Sequence, residues 1–253
     1  MFILPGDSWI EELHFFHFKN MEKPTVYFLS LGPGGAATVT LGTLKILQHC
    51  HKVYCFASHG FSYAREIISQ LPVQPLVLVV DIPMSKNREQ VMQKYRDVAT
   101  QVGQDVNSGL TVALATEGDS SVYATTHYVK DLLDAQGVAT CQQAGVPSFI
   151  AAASRAGLHL ISQEQRLLVV PGRITAQEIE QHMEDGNVLV IMKLSLAVES
   201  VHSIMKQHPE YQYHYFNKVC TPQEYYSHDL AELAHLDFPY FSLLIIQGPK
   251  AEI

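Results

Sequence analysis

The chain has 253 residues, 47% hydrophobic and 17% charged, enough to bury a full core and to divide into two α/β domains. Its formal net charge of −8, without a basic block, argues against a broad phosphate-backbone contact and leaves room only for a local basic groove. No apolar stretch is long enough to cross a bilayer, so neither a nucleic acid nor a membrane is the expected partner.

The first twenty residues lack the basic start and unbroken apolar centre of a signal peptide, because Asp7, Glu11 and Glu12 interrupt them. A cytoplasmic location is expected. Met1 to Asn20 reads as a non-essential extension, with residues 1–23 set apart from the fold and Met21 as an alternative start.

From Val26 onward strand-like and helix-like segments alternate. Val26–Leu31, Val53–Phe56, Leu76–Val80 and Leu110–Ala115 are short apolar runs without polar alternation, as expected of parallel strands buried on both faces. Leu41, Leu44, Leu47 and Cys50 mark one helical face between them; Val91, Tyr95, Val98 and Val102 mark another. This rhythm predicts right-handed crossovers and a doubly wound sheet over residues 24–143.

Two glycine-containing loops stand directly after strands. Gly32-Pro33-Gly34-Gly35 follows the first, and Glu117-Gly118-Asp119-Ser120-Ser121-Val122-Tyr123 follows the fourth. In open α/β sheets, ligands lie beyond the carboxyl ends of strands. Glycine lets backbone approach a ligand closely, and Pro33 stiffens the turn. Each loop also has a plain reading: Gly-Pro-Gly as a tight turn, and Asp119 as the cap of a helix beginning near Ser120. Neither a Gly-x-Gly-x-x-Gly fingerprint nor a Walker lysine is present.

Ala139 to Pro147 reads as a hinge, after which the pattern changes and a second domain over residues 144–253 is expected. Arg166–Val170, Asn187–Met192, Tyr211–Phe216 and Tyr240–Ile246 are its strands. Thr175-Ala176-Gln177-Glu178 is a capping-box signature for a helix with Ile179 and Met183 turned inward. Tyr211 to Tyr215 alternates as a half-exposed strand of a more antiparallel sheet would. Cys50, Cys55, Cys141 and Cys220 have no metal-ligand spacing and are expected as free thiols. The pairs His14/His17 and His49/His51 lack nearby carboxylate or cysteine partners, so no metal site is expected.

The order of Gly32–Gly35, Thr116–Thr125, Val146–Arg155, Leu167–Gly172 and Pro239-Tyr240-Phe241-Ser242 resembles the tetrapyrrole (corrin/porphyrin) methylase family over about residues 24 to 247. Within it the chain is most similar to the corrin branch that methylates precorrin-2 at C-20 in cobalamin synthesis. The resemblance implies a two-domain α/β fold, a mostly parallel N-terminal sheet and a mixed C-terminal sheet, with S-adenosylmethionine in the cleft between them. By match of motif it implies that Pro33, Gly118, Asp119, Val122, Ile150, Ala151, Met192, Tyr240 and Ser242 touch this cofactor. It also implies a tetrapyrrole substrate and a homodimer. Glu117 and Tyr123 are candidate bases by location, or else a surface carboxylate and a packed aromatic. Arg155, Lys193 or Arg65 are candidates for gripping a substrate carboxylate, though Lys193 also reads as an exposed strand-end charge.

The sequence departs from the family pattern at Gly35, where an acidic residue is usual, and at Ser120, where a proline is usual. Arg155-Ala156-Gly157 replaces a more usual alanine-arginine-leucine-glycine run. Gly35 keeps open the reading of a binding module without turnover; a same-fold methylase acting on ribosomal RNA or a translation factor is a further alternative, which the acidic balance and the Pro239-Tyr240-Phe241-Ser242 end disfavour.

Overall fold

A computed structural model describes residues 25–83, 85, 87–162 and 164–249. The extension expected over residues 1–23 lies outside them. The first half carries β1 (Thr25–Ser30), α1 (Leu41–His49), β2 (Lys52–Ala57), α2 (Tyr63–Ser69), β3 (Leu76–Asp81), α3 (Arg88–Asn107), β4 (Val112–Thr116), α4 (His127–Ala135) and β5 (Ala139–Gln143). All five strands are parallel, in the order β3-β2-β4-β1-β5.

The period of two along each strand sorts side chains onto two faces. Tyr27 and Leu29 of β1 meet Ile46 and Leu47 of α1 and Ile67 and Ile68 of α2 on one face. Val26 and Phe28 meet Val98 and Val102 of α3 and Val129 and Leu133 of α4 on the other. Covering helices on both faces are what a parallel sheet requires.

The second half carries α5 (Ser148–Arg155), β6 (Leu167–Val170), α6 (Ala176–Glu184), β7 (Val188–Met192), α7 (Val198–Gln207), β8 (Gln212–Asn217), β9 (Tyr225–Ser227), α8 (Leu230–Leu233) and β10 (Ser242–Gln247). Its sheet runs β6-β7-β10-β8-β9, with β6 and β7 parallel and the other pairings antiparallel. Leu189, Ile191 and Leu244 face α6 and α7, while Val188, Val190 and Ile245 face α5. The expected α/β architecture is therefore present, parallel in the first sheet and mixed in the second.

Several local expectations are corrected. The buried face of α1 is Thr43, Ile46 and Leu47, continued by Cys50, whereas Leu41 at its start is 74% exposed. β3 is an edge strand, and its Leu76 and Val79 reach solvent instead of being buried on both faces. The stretch read as a hinge begins with a true strand, β5, which pairs with β1. β8 is buried on both faces, with Tyr213 and Tyr215 in the core beside α6 and α7 and Phe216 in the core beside α5, so the alternation at Tyr211 to Tyr215 does not mark a half-exposed strand. No helix begins near Ser120; the next one starts at His127. The capping box at Thr175 and Glu178 forms as expected, with Ile179 and Met183 buried.

Candidate functional site

β1 lies between β4 and β5, so the loops leaving β1 and β4 are neighbours at the carboxyl edge of the first sheet. The two loops lock together at their glycines. The Gly32 N–H donates to the Gly118 carbonyl at 3.0 Å, and the Gly118 N–H returns the bond at 2.9 Å. Both residues have φ of +70°, a left-handed backbone that glycine adopts without penalty. Their surroundings differ. A Cβ on Gly32 would meet Thr38 Oγ1 at 2.3 Å, whereas one on Gly118 would meet nothing within 4 Å. Gly118 faces open space.

That space is a cleft of about 720 Å³, within the size range of small-molecule sites. The first half lines it with Pro33, Phe56, Phe61, Glu117, Gly118, Val122 and Tyr123; the second half lines it with Met192, Lys193, Lys218, Tyr240 and Ser242. The two halves touch at its edge. A Cβ on Gly34 would lie 2.4 Å from the Val219 carbonyl oxygen, and one on Gly35 would lie 3.2 Å from that of Cys220. This approach gives Gly35 a steric reason: the loop after β8 occupies the ground that a larger side chain would need.

Asp119 binds neither a helix end nor open solvent. Its carboxylate accepts from the Ser121 N–H at 2.8 Å, the Ser121 hydroxyl at 2.5 Å and the Gly145 N–H at 2.6 Å. Burial alone would raise its pKa, but the donors from Ser121 and Gly145 outweigh it and hold the carboxyl below its ordinary value. Asp119 thus ties the loop after β4 to the segment joining the two halves. Ser30, fully buried at the end of β1, closes the same knot. Its hydroxyl donates to the Gln143 carbonyl at 2.6 Å and accepts the Ser120 N–H at 2.8 Å. A proline at 120 has no N–H to give, so Ser120 fits this hydrogen bond.

Glu117 lines the cleft and is crowded by protein; burial raises its carboxyl pKa, and a hydrogen bond from its own backbone offsets part of that rise. The Tyr123 hydroxyl donates to the Val169 carbonyl across the cleft at 2.9 Å, which ties it to a wall and not to a reacting atom. Of the five non-glycine residues with positive φ among the described residues, His59, Tyr123, Lys193 and Lys218 line the cleft, and Cys220 does not. Unusual backbone of this kind concentrates at functional sites.

Of the residues expected from motif, Pro33, Gly118, Asp119, Val122, Met192, Tyr240 and Ser242 line this one cleft. Ile150 and Ala151 do not: Ile150 is 41% exposed, Ala151 packs into the core under the second sheet, and Pro147 and Ser148 of the same segment reach the wall. Lys193 lines the cleft, Arg65 does not, and Arg155 is drawn into an ion pair with Glu224 at 2.9 Å. Sequence reasoning missed Lys218, Phe241 and the turn after β2, from Ser58 to Phe61. The rule that ligands gather beyond strand carboxyl ends would have found the last of these.

The tetrapyrrole (corrin/porphyrin) methylase family model matches residues 25–234. A protein of Methanocaldococcus jannaschii named probable cobalt-precorrin-2 C(20)-methyltransferase is 26% identical over 74% of this chain and 79% of its own length. The cobalt-precorrin-2 C(20)-methyltransferase of Salmonella typhimurium is 30% identical over 67% of this chain and 72% of its own. The crystal structure of a cobalt precorrin-4 methyltransferase superposes with a TM-score of 0.69 over 88% of this chain and 94% of that one, at 16% identity, a likeness of fold.

Proposed function

The chain belongs to the tetrapyrrole (corrin/porphyrin) methylase family, and on that premise we propose that it methylates precorrin-2, or its cobalt-containing form, at C-20 in cobalamin biosynthesis. The names of its relatives support this substrate. The observation that carries the methyl-donor site is Gly118: left-handed, bridged to Gly32, and with open space where a side chain would stand. That cradle suits the adenosine portion of S-adenosylmethionine. Pro33, Gly118, Asp119, Val122, Met192, Tyr240 and Ser242 would hold it.

When bound, S-adenosylmethionine supplies an electrophilic sulfonium methyl. The chain's own share is chiefly positioning: two halves in contact, a stiff first loop and a pinned second loop fix the walls against which two reactants align. Glu117, with its raised pKa, is placed to accept the proton left on the substrate. Tyr123 closes the wall through Val169. A homodimer and a cytoplasmic setting follow from the family reading, and analytical ultracentrifugation tests the first.

Anaerobic incubation with S-adenosylmethionine and precorrin-2, with and without cobalt, read by mass spectrometry, tests the assignment. The expected product is heavier by one methyl group. Cofactor binding without any methylated tetrapyrrole would overturn it.

A further inference from the structure

β7 and β8 both run antiparallel to β10, which lies between them, so their carboxyl ends reach the same edge of the second sheet. Each strand ends in the same way. Met192 is followed by Lys193 at φ +53°, and Asn217 is followed by Lys218 at φ +50°. The left-handed conformation is unfavourable for a residue with a Cβ, by roughly 1–2 kcal/mol. Two lysines nonetheless adopt it at equivalent strand ends, and both line the cleft.

The register fixes their separation. Ser242 pairs with Asn217, Leu243 pairs with Met192, and the Lys218 N–H donates to the Phe241 carbonyl at 3.1 Å. The backbones of the two lysines therefore flank the entry to β10, two strand spacings or about 10 Å apart. Neither ammonium has an ion-pair partner among the described residues. Lys193 Nζ instead stands 6.0 Å from the Tyr123 ring centroid and 5.7 Å from that of Tyr240. These rings favour a cation without neutralising it. Of the carboxylates lining the cleft, Asp119 is taken up by Ser121 and Gly145, and neither it nor Glu117 pairs with either lysine. In a chain of net charge −8 this edge of the cleft is a local cationic site.

We propose that Lys193 and Lys218 form a two-pronged clamp that binds two separate carboxylates on the rim of the tetrapyrrole, an inference that rests on the functional reading above. The spacing suits groups carried on neighbouring rings of one macrocycle, and the clamp sets which edge of the substrate faces the methyl donor. Lys193 and Lys218 are in this sense positioning residues.

The test uses uroporphyrin III, an eight-carboxylate tetrapyrrole, titrated by fluorescence against the full-length protein. Lys193→Met and Lys218→Met should each weaken porphyrin binding about tenfold, and the double variant about a hundredfold. Lys193→Arg and Lys218→Arg should restore it. Affinity for S-adenosylmethionine, read by calorimetry, should stay within about twofold, and the affinity gap should shrink as salt is raised. Wild-type binding in all methionine variants would overturn the clamp while leaving the functional reading intact. Failure of the wild type to bind porphyrin, or to methylate precorrin-2, would overturn both. Parallel loss of cofactor binding or of folding in both the methionine and the arginine variants would overturn the clamp by assigning the lysines a purely structural role.

Discussion

Gly118 separates ligand space from packing space at a single atom. Gly118→Val puts a branched side chain into the cleft, where no protein atom lies within 4 Å of a Cβ. Affinity for S-adenosylmethionine should fall more than about tenfold, with a stability cost of roughly 1–2 kcal/mol from the left-handed backbone. Gly118→Ala bears the same backbone cost with less reach. Calorimetry on the pair therefore distinguishes strain from obstruction, and equal affinities in both would show that the loop is not at the cofactor. Asp119 lines the same cleft, and its carboxylate is also bonded within the chain, to Ser121 and Gly145. Asp119→Ala leaves the Gly145 N–H without its acceptor and should cost about 1–3 kcal/mol in chemical denaturation. Because its folded pKa lies below the unfolded value, its contribution is present above about pH 3.9 and is lost as pH falls through the folded pKa. The difference between wild type and Asp119→Ala should close in acid.

Elements whose burial follows from their own pattern were readable in the sequence. β1, β2 and β4 have apolar middles and lie inside their sheet, and α6 carries its capping box. What was not readable depended on partners distant in sequence. β5, with Thr140, Gln142 and Gln143, lacks an apolar run and is a strand because β1 offers it an edge. β8 looks half-exposed until Tyr213 and Tyr215 on one face and Phe216 on the other meet cores built from distant segments. The site divides in the same way. Gly32, Gly118 and their neighbours announce themselves by composition, whereas Lys218 is drawn into the cleft by the pairing of β8 with β10 and has no local signature. Asp119 was legible as important but not in its role, since Gly145, 26 residues away, decides what it binds. A further element-scale contact joins α6 to the end of α7. His208 places Nε2 3.1 Å from Glu180 and Nδ1 2.9 Å from Glu210, an arrangement in which a protonated imidazole donates from both ring nitrogens. The hydrogen bonds to Glu210 and Glu180 raise its pKa. Its stabilising effect is thus complete below the unfolded value near about 6.5 and is lost as pH rises through the folded one. Melting curves of wild type and His208→Ala should converge as pH increases; a constant gap would assign the effect to packing on Tyr211.

The molecule as a whole depends on two halves meeting where the cleft forms. Gly34 is the tightest point of that meeting, with a hypothetical Cβ 2.4 Å from the Val219 carbonyl and 2.7 Å from the Cys220 carbonyl carbon. Gly34→Ala must push the backbones of the facing loops away from each other, so it should cost about 3 kcal/mol or more and weaken the cofactor and substrate sites together. Gly109→Ala is the internal control, because Gly109 has φ of +82° and nothing within 4 Å of a Cβ. Equal stability losses in the two variants would show that the loops do not bear on each other.

β10 occupies the middle of its sheet although it is the last strand of the described chain. During synthesis β7 and β8 emerge from the ribosome as neighbours with an empty lane between them, and Lys193 and Lys218 have nothing to flank. The second half can therefore close only after Ser242–Gln247 has left the exit tunnel, and a message or protease cut that removes this strand should leave two exposed edges prone to aggregation. Emergence of β10, the closing of the second core and the appearance of a cationic edge on the cleft are one event.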